Sequence, residues 1–217
     1  MSEGLRERKK RETRRRISAV ATGLFVERGF ESVTIAEVAA AADVSVNTVY
    51  NYFHAKEDLV LPPDEASPQR LADIVRQRPP GESAARAVLT RLREEVRRRD
   101  RRLGLTEGFG RVFEMMRAAP TLLARLDELG RQMTGALAAV LAEEAGAAPD
   151  DPLPRVVAAQ IGWFHGLVFA EIGERVTAGQ GPDEIATAVL DLLDTVEALL
   201  GERLLAYAVR EDRPCSE

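Results

Sequence analysis

Apolar residues recur along this chain with the period of an α-helix. The first stripe falls at i, i+3, i+4, i+7 and i+8, and it ends before Gly29, a residue type typical of helix C-termini. Its members are Ile17, Val20, Ala21, Leu24 and Phe25. Since no run alternates between apolar and polar residues as a half-buried strand does, the pattern predicts an all-α fold.

Two short helices are predicted directly after Gly29. Thr34 is a good N-cap and precedes an apolar stripe that runs from Ile35 to Ala42. A turn at Asp43-Val44-Ser45 then leads into a third helix that ends at about Phe53. We expect Lys56 to open a fourth helix, which Pro62-Pro63 interrupts because proline has no N–H to donate.

The remainder of the chain predicts a bundle of helices. A glycine-rich stretch, residues 104–110, separates two groups of them. One helix is predicted to begin near Ser67, and a long one has Ala85 to Val96 facing inward. Another opens at Pro120, and the last two cover residues 153–178 and 183–208. We therefore divide the chain into a small N-terminal domain, residues 1–60, and a larger helical domain, residues 61–217.

Charge is distributed unevenly along the chain. Residues 1–56 hold ten Lys/Arg and seven Asp/Glu, whereas residues 57–217 hold 20 and 28, and the net charge is −5. The first sixteen residues alone carry eight basic and three acidic side chains. A basic N-terminal segment followed by an acidic remainder is typical of a protein that contacts phosphate at one end, although a solvated tail explains the run of basic residues equally well.

Several classes of protein are disfavoured by composition. The single Cys215 excludes a disulfide framework. The longest uninterrupted apolar stretch, residues 136–142, is too short to cross a bilayer. The charged N-terminus lacks the apolar segment of a secretory signal. We expect a cytoplasmic protein with no membrane partner.

The third helix carries the candidate recognition chemistry. Its spacing predicts that Val46, Val49, Tyr50 and Phe53 face the core and that the outer face consists of Asn47, Thr48, Asn51 and Tyr52. Hydroxyl and amide groups both donate and accept hydrogen bonds, which suits base edges in a major groove that admits one α-helix. An ordinary amphipathic helix hairpin is the alternative interpretation.

This stretch resembles the TetR/AcrR family of transcriptional regulators. The resemblance runs from about Thr13 to Leu61, and its core is GFESVTIAEVAAAADVSVNTVYNYFHAKEDL, Gly29 to Leu59. It implies an N-terminal three-helix helix-turn-helix DNA-binding domain followed by a larger helical ligand-binding and dimerisation domain. It also implies a homodimer on double-stranded operator DNA, with phosphate contacts from Thr34, Tyr50 and Lys56 and groove contacts from Ser45, Asn47, Thr48, Asn51 and Tyr52.

Two positions depart from the family pattern. Asp43 stands in the turn where many members have glycine, and we expect a modest stability cost because Asp tolerates the left-handed conformation better than most residues. Pro62-Pro63 falls in a helix that is usually continuous in the family. We expect this proline pair to break the helix after roughly six residues, so that a signal does not pass along one continuous helix.

A stripe of small residues marks the candidate pairing surface. Helix 153–178 has small residues at strict i+4 spacing, and glycine inside a helix costs roughly 1 kcal/mol relative to alanine, so a packing reason is expected. The resemblance implies that the last two helices of each subunit form a four-helix dimer bundle, whereas two core helices of a monomer are the alternative. The candidate interface residues are Ala158, Gly162, Gly166, Ala170, Leu192, Val196 and Leu199.

Aromatic and methionine side chains in the larger domain suggest a ligand site beside the glycine-rich stretch. The candidates for binding a small, mostly apolar effector are Phe109, Phe113, Met116, Trp163 and Phe169. Side chains of these types at helical spacing also build ordinary cores, and His165 is expected to be a satisfied core histidine or a polar group inside a cavity.

Nothing in the sequence is typical of an enzyme. The chain has two histidines and one cysteine, and it lacks the phosphate-binding and zinc-protease motifs. We therefore expect no catalytic residue, no metal site and no cofactor. Two hypotheses remain: a repressor that a small apolar ligand releases from its operator, and a ligand-independent architectural or activating DNA-binding protein.

Overall fold

The computed structural model describes residues 4–61, 66–106 and 108–210. Within these residues the chain forms ten α-helices and two short 3₁₀ turns, and no β-strand occurs among them, so the all-α prediction is confirmed. Pro62-Pro63 and Cys215 lie outside the described residues. The helices are α1 (Leu5–Arg28), α2 (Ile35–Ala41), α3 (Val46–Tyr52), α4 (Arg70–Gln77), α5 (Ala84–Arg97), α6 (Phe109–Ala118), α7 (Pro120–Ala145), α8 (Leu153–Thr177), α9 (Pro182–Leu199) and α10 (Glu202–Leu205).

The chain divides into two compact units that are not contiguous in sequence. The first unit comprises residues 1–66 and 111–126, and the second comprises residues 67–110 and 127–217. The first unit therefore includes a segment from α6 and α7 that the expected division at residue 60 assigns to the larger domain.

The first unit is held together by one apolar core. Helix α2 packs against both α1 and α3, and the segment from α6 and α7 adds side chains to the same core. Its fully or nearly fully buried members include Ile17, Ala21, Phe25, Val38, Val49, Phe53, Leu59, Met116 and Leu122. The first apolar stripe predicted from the sequence thus supplies the α1 side of this core.

The turn between α2 and α3 forms around Asp43. Its φ of 51° lies in the left-handed region, as expected for the residue that replaces glycine here. The Val44 N–H donates to the Ala39 carbonyl at 3.0 Å, and the Asp43 N–H donates to the Ala40 carbonyl at 3.2 Å. These two bonds satisfy carbonyls at the end of α2 and redirect the chain into α3.

Two predicted helices end earlier than expected. Between Lys56 and Leu61 the structure has only a 3₁₀ turn, Glu57–Leu59, in which the Asp58 carboxylate accepts the His54 and Ala55 N–H groups, both at 3.2 Å, and Leu59 is fully buried. Helix α9 ends at Leu199 rather than at residue 208, since Leu200 is extended (φ −73°, ψ 129°).

The second unit surrounds the buried face of α8. This helix packs against α5 and α9, and its side chains Ile161, Phe164 and Val168 are fully buried. Among the described helices, α8 is the one long and apolar enough to cross a membrane by length and composition, with 44% of that stretch buried here. The burial of these side chains is typical of the core helix of a folded domain.

The strain at Asp43 gives a stability prediction. Asp43→Ala is expected to lower the free energy of unfolding by about 1 kcal/mol, because a left-handed conformation is costly for a side chain without a local hydrogen-bonding group. Asp43→Gly is expected to be at least as stable as the natural protein, since glycine adopts this conformation freely. Chemical denaturation of both variants checks the order, and an alanine variant as stable as the glycine variant contradicts it.

Candidate nucleic-acid interface

Helix α3 buries one side and exposes the other. Val49 and Phe53 are each 1% exposed, which confirms their predicted place in the core. The inward placement predicted for Val46 and Tyr50 is wrong, since these side chains are 40% and 53% exposed. Tyr50 is turned about 100° from Val49 around the helix axis, toward solvent, and Val46 is the first residue of the helix.

The centre of the exposed face consists of two amides. Asn47 and Asn51 lie four residues apart on the side opposite Phe53, and both are exposed. Thr48 is half-buried at one flank. Tyr52, predicted to face the groove, is half-buried and packs partly against the core.

The N-terminus of α3 is capped by its own hydroxyl groups. Ser45 is the N-cap, and its Oγ accepts the Thr48 N–H at 3.0 Å. The two hydroxyls also hydrogen-bond to each other at 2.8 Å. This cap holds the first turn in shape and leaves Ser45 exposed beside Asn47.

A capping box fixes the N-terminus of α2. The Thr34 Oγ1 accepts the Glu37 N–H at 3.2 Å, and the Glu37 carboxylate accepts the Thr34 N–H and hydroxyl, both at 2.8 Å. The Arg28 guanidinium also binds this carboxylate, at 2.5 Å. The backbone hydrogen bond from Thr34, followed by the bond from Arg28, lowers the pKa of Glu37 from 4.5 to about 2.

Lys56 is held against two aromatic rings. Its ammonium lies 4.5 Å from the centre of the Phe30 ring and 5.6 Å from that of Phe25. It also donates to the Glu31 carbonyl at 3.4 Å. Cation–π attraction thus positions the side chain that the resemblance assigns to a phosphate.

Two further residues position α3 and the chain that follows it. The Arg14 guanidinium donates to the Tyr52 carbonyl at the end of α3, at 3.3 Å, and lies 6.0 Å from the Phe53 ring centre. The buried Asp58 carboxylate lies 3.5 Å from Arg125 of α7. The position of Arg14, one turn before the buried stripe of α1, is a weak sequence signal for its contact with Tyr52. No sequence signal pairs Asp58 with Arg125.

The candidate pairing residues in the second unit have different environments. Ala158 is fully buried and Val196 is 3% exposed, so neither offers surface to a partner, and their assignment to an interface is wrong. A Cβ on Gly162 would approach the Thr134 Oγ1 to 2.6 Å, so this glycine serves packing within the chain. Leu192 is half-buried against the core. The stripe members left exposed are Gly166 and Ala170, and Leu199 of α9 is 79% exposed.

The candidate ligand residues do not form one cluster within either unit. Met116 belongs to the buried core of the first unit, and Phe113 is a half-buried residue of the same unit. Phe109 and Phe169 are half-buried in the second unit. Trp163 is 59% exposed there and lines no closed interior.

The glycine-rich stretch is packed against an aromatic ring. A Cβ on Gly104 would lie 2.3 Å from the Phe109 ring, which explains the glycine by close approach. Its φ of 76° gives a second reason, because this conformation favours glycine. The glycine-rich stretch therefore contains at least one ordered contact.

Known proteins are similar to this chain both in the helix-turn-helix region and over most of its length. Residues 17–61 match the family model of bacterial regulatory proteins of the tetR family. The HTH-type transcriptional regulator TcmR of Streptomyces glaucescens is 32% identical over 183 residues, 80% of this chain and 75% of that protein. The chain belongs to the tetR family. The HTH-type transcriptional repressor KstR of Rhodococcus jostii is 30% identical over 88% of this chain and 84% of its own length.

A solved structure shares the fold of this tetR-family chain. Native NalD, the secondary repressor of the MexAB-OprM multidrug efflux pump in Pseudomonas aeruginosa, aligns with a TM-score of 0.54 and 19% identity over 86% of this chain and 97% of its own. Together with the relatives, this confirms the predicted family and the helix-turn-helix followed by a helical domain. The protein is a DNA-binding transcriptional regulator and not an enzyme.

The Glu37 contacts predict a pH dependence of stability. Because the folded-state pKa of about 2 lies below the ordinary 4.5, the carboxylate stabilises the fold fully above about pH 5 and progressively less as the pH falls toward 2. Glu37→Ala should therefore melt below the natural protein at pH 7, and the difference should shrink through this window. A difference in melting temperature that stays constant from pH 6 to pH 3 contradicts the assignment.

Proposed function

We propose that this regulator is a repressor that binds its operator as a homodimer, reads base edges with the exposed face of α3, and leaves the DNA when a small, mostly apolar molecule binds its second unit. The observation that carries the proposal is the amide-centred face of α3 on a helix anchored by Val49 and Phe53. Such a protein works in the cytoplasm, where it meets the chromosome.

The chemistry of the α3 face fits direct readout. Asn47 and Asn51 each offer an amide, the group that pairs bidentately with adenine in the major groove. Val46 supplies an apolar surface for a thymine methyl group, and the exposed Tyr50 hydroxyl suits a phosphate oxygen. The remaining candidate DNA contacts each also make a contact that stabilises the first unit, so we assign them a secondary part in binding. They are Thr34, Ser45, Thr48, Tyr52 and Lys56.

The basic segment at the start of α1 supports contact with the DNA backbone. Between Arg6 and Arg28 the first buried side chain of α1 is Ile17, and the basic side chains from Arg6 to Arg11 are all exposed. At 1.5 Å per residue, the turns from Leu5 to Arg16 extend about 18 Å along the axis. Charges spread along such a length suit several phosphates and carry no sequence information.

An exposed apolar surface on α8 and α9 supports pairing of two subunits. Val156 and Trp163 of α8 are 50% and 59% exposed, and Leu199 of α9 is 79% exposed. Gly166 has open space around the position of a Cβ, so a partner helix can approach closely there. Exposed tryptophan and leucine next to small residues are typical of an interface core.

A ligand can release the operator because both DNA-binding units of a dimer must contact it at the same time. Recognition helices of a dimer must match half-sites about 34–36 Å apart, so a small change in their spacing weakens binding. A ligand shifts this equilibrium by its differential affinity for the two spacings, and a coupling of about 1–3 kcal/mol is typical. The half-buried Phe109 and Phe169 offer aromatic surface for an apolar ligand in the second unit.

The α3 face gives the first test of the proposal. Asn47→Ala with Asn51→Ala should remove preference for the operator over random DNA, because removing a side chain that pairs with a base costs about 1–3 kcal/mol. Operator selection from genomic fragments followed by binding titrations measures this preference. The matched control is Gln77→Ala, an exposed amide at the end of α4, which should leave it unchanged.

A second variant separates base readout from phosphate binding. Replacing Arg6, Lys9 and Lys10 by Gln should weaken operator and random DNA alike and reduce the slope of log K against log salt by about 0.9 for each phosphate that is no longer neutralised. The double asparagine variant should leave that slope nearly unchanged. If the asparagine variant still discriminates the operator, α3 does not read it as proposed.

The exposed glycine of α8 tests the dimer. Gly166→Leu adds a side chain in open space, so the subunit should fold normally while the pair loses about 1–3 kcal/mol to overpacking. Dimer affinity, measured by sedimentation velocity, and operator affinity, measured by titration, should weaken together. Gly162→Leu is the contrasting variant, because its side chain meets Thr134 in the same chain and should lower the melting temperature. A monomeric natural protein at micromolar concentration refutes the dimer.

A further inference from the structure

The first two turns of α7 belong to the first unit. Leu122 is fully buried in the core of that unit, and Leu126 packs against the same core. Beside them, the Thr121 hydroxyl donates to the Glu31 carboxylate at 3.3 Å. These contacts fasten the start of α7 to the unit that carries α3.

The same helix continues into the second unit. Residues 127–145 belong to that unit, and Leu137 and Leu141 are fully buried in its core. At the far end of the helix, the Glu144 carboxylate binds the Arg78 guanidinium at 2.6 Å. A packed helix carries coupling between distant sites because its turns move together. A displacement of α7 in the second unit is therefore expected to reach its first two turns.

The Asp58 carboxylate links the start of α7 to the end of α3. Its Oδ2 accepts the backbone N–H groups of His54 and Ala55, both at 3.2 Å, directly after α3 ends at Tyr52. Its Oδ1 lies 3.5 Å from a terminal nitrogen of Arg125 on α7. One oxygen thus holds the turn that follows the recognition helix, and the other faces α7.

The burial of Asp58 makes this arrangement dependent on Arg125. The Asp58 side chain is 5% exposed, whereas that of Arg125 is 36% exposed. A buried carboxylate that loses its cation is strongly destabilised, so it turns toward water and releases the groups that it holds. A cation that is already partly in solvent leaves at a much lower cost. The guanidinium is therefore the movable half of the pair.

We infer that Arg125 is a positioning residue for operator binding: through its ion pair with Asp58, the position of α7 controls the turn that ends α3 and, with it, the affinity for DNA. The inference rests on the proposed reading of the operator by α3 and names the route by which the second unit regulates it. While Arg125 faces Asp58, the carboxylate keeps both N–H bonds and α3 is held in its reading orientation. When α7 withdraws Arg125, the turn loosens and the operator is bound more weakly.

Removal of the guanidinium gives the first test. Arg125→Gln should weaken operator binding about threefold to tenfold, a size typical of a residue that couples two sites. Arg125→Lys keeps the positive charge and should restore part of the affinity. The matched control is Arg131→Gln, because Arg131 lies on the same helix and pairs with Asp127 and Glu128 of that helix. Titrations well below the melting temperature of every variant keep global unfolding out of the comparison.

Amide exchange in the free protein tests the contact itself. In Arg125→Gln the amides of His54 and Ala55 should exchange faster, because Asp58 no longer holds them, while the amides in the middle of α8 keep their rates. A loss of global stability would instead speed exchange in α8 as well. Arg131→Gln should leave the exchange of all these amides unchanged. If His54 and Ala55 exchange at the natural rate in Arg125→Gln, the contact does not position the turn.

Reciprocity provides a readout that a purely structural contact would not move. If α7 controls α3, bound operator must in turn restrain α7, because coupling between two sites acts equally in both directions. Operator binding should slow amide exchange at residues 127–136 in the natural protein. This protection should be lost in Arg125→Gln, although α3 itself stays protected by the DNA. No protection in the natural protein, or equal protection in both proteins, overturns the inference.

Failure of this inference is distinguishable from failure of the proposed function. If the natural protein prefers no selected fragment over random DNA, reading by α3 fails, and amide exchange in the free variants still decides whether Arg125 positions the turn. If the double asparagine variant loses operator preference while Arg125→Gln keeps full affinity, reading by α3 stands and the inference is refuted. An equal loss of affinity in Arg125→Gln and Arg131→Gln also refutes it, because the cause is then the charge of α7 and not the ion pair.

Discussion

The recognition face depends on the anchoring of α3, a helix of only seven residues. A helix this short does not persist in water by itself, because nucleation costs more than two turns of hydrogen bonds return. Burial of Val49 and Phe53 supplies the missing stability, and together they fix the rotation of the helix about its axis. The positions of Asn47 and Asn51 are therefore a consequence of packing on the opposite side.

Polar contacts complete this anchoring at both ends of the helix. The Ser45 hydroxyl caps its first turn, and Arg14 reaches the Tyr52 carbonyl at its last. Asp58 then turns the chain by accepting two backbone N–H groups. Residues that the family resemblance assigns to DNA contact thus also shape the unit, so their substitution changes folding and binding together. Asn47 and Asn51 are free of this double role in the hydrogen bonds described, which makes them the cleaner test of readout.

The sequence predicted the elements better than the surroundings of individual side chains. Helical periodicity and capping residues located α2, α3 and the part of α1 that follows Ile17, whereas α1 begins at Leu5, in the basic segment that has no apolar stripe. The chemistry of aspartate anticipated the left-handed turn at Asp43. A seven-residue helix gives too few positions to fix its rotation, so Tyr50 was wrongly assigned to the core and the partial burial of Tyr52 was not predicted. The exposure of Trp163 was equally inaccessible, because an aromatic residue on an apolar helix suits a core and an interface alike.

The second unit also uses buried polar groups to hold its fold. Its core along α8 is apolar except at His165, which is 5% exposed. Arg78, at the end of α4, is 3% exposed, and its guanidinium binds the Glu144 carboxylate at 2.6 Å and donates to the Ala208 carbonyl at 2.7 Å. Because a buried charge without partners is costly, these bonds fix the end of α4 against α7 and the C-terminal segment. Polar contacts in both units therefore position chain ends that an apolar core, which lacks directional bonds, leaves free to slide.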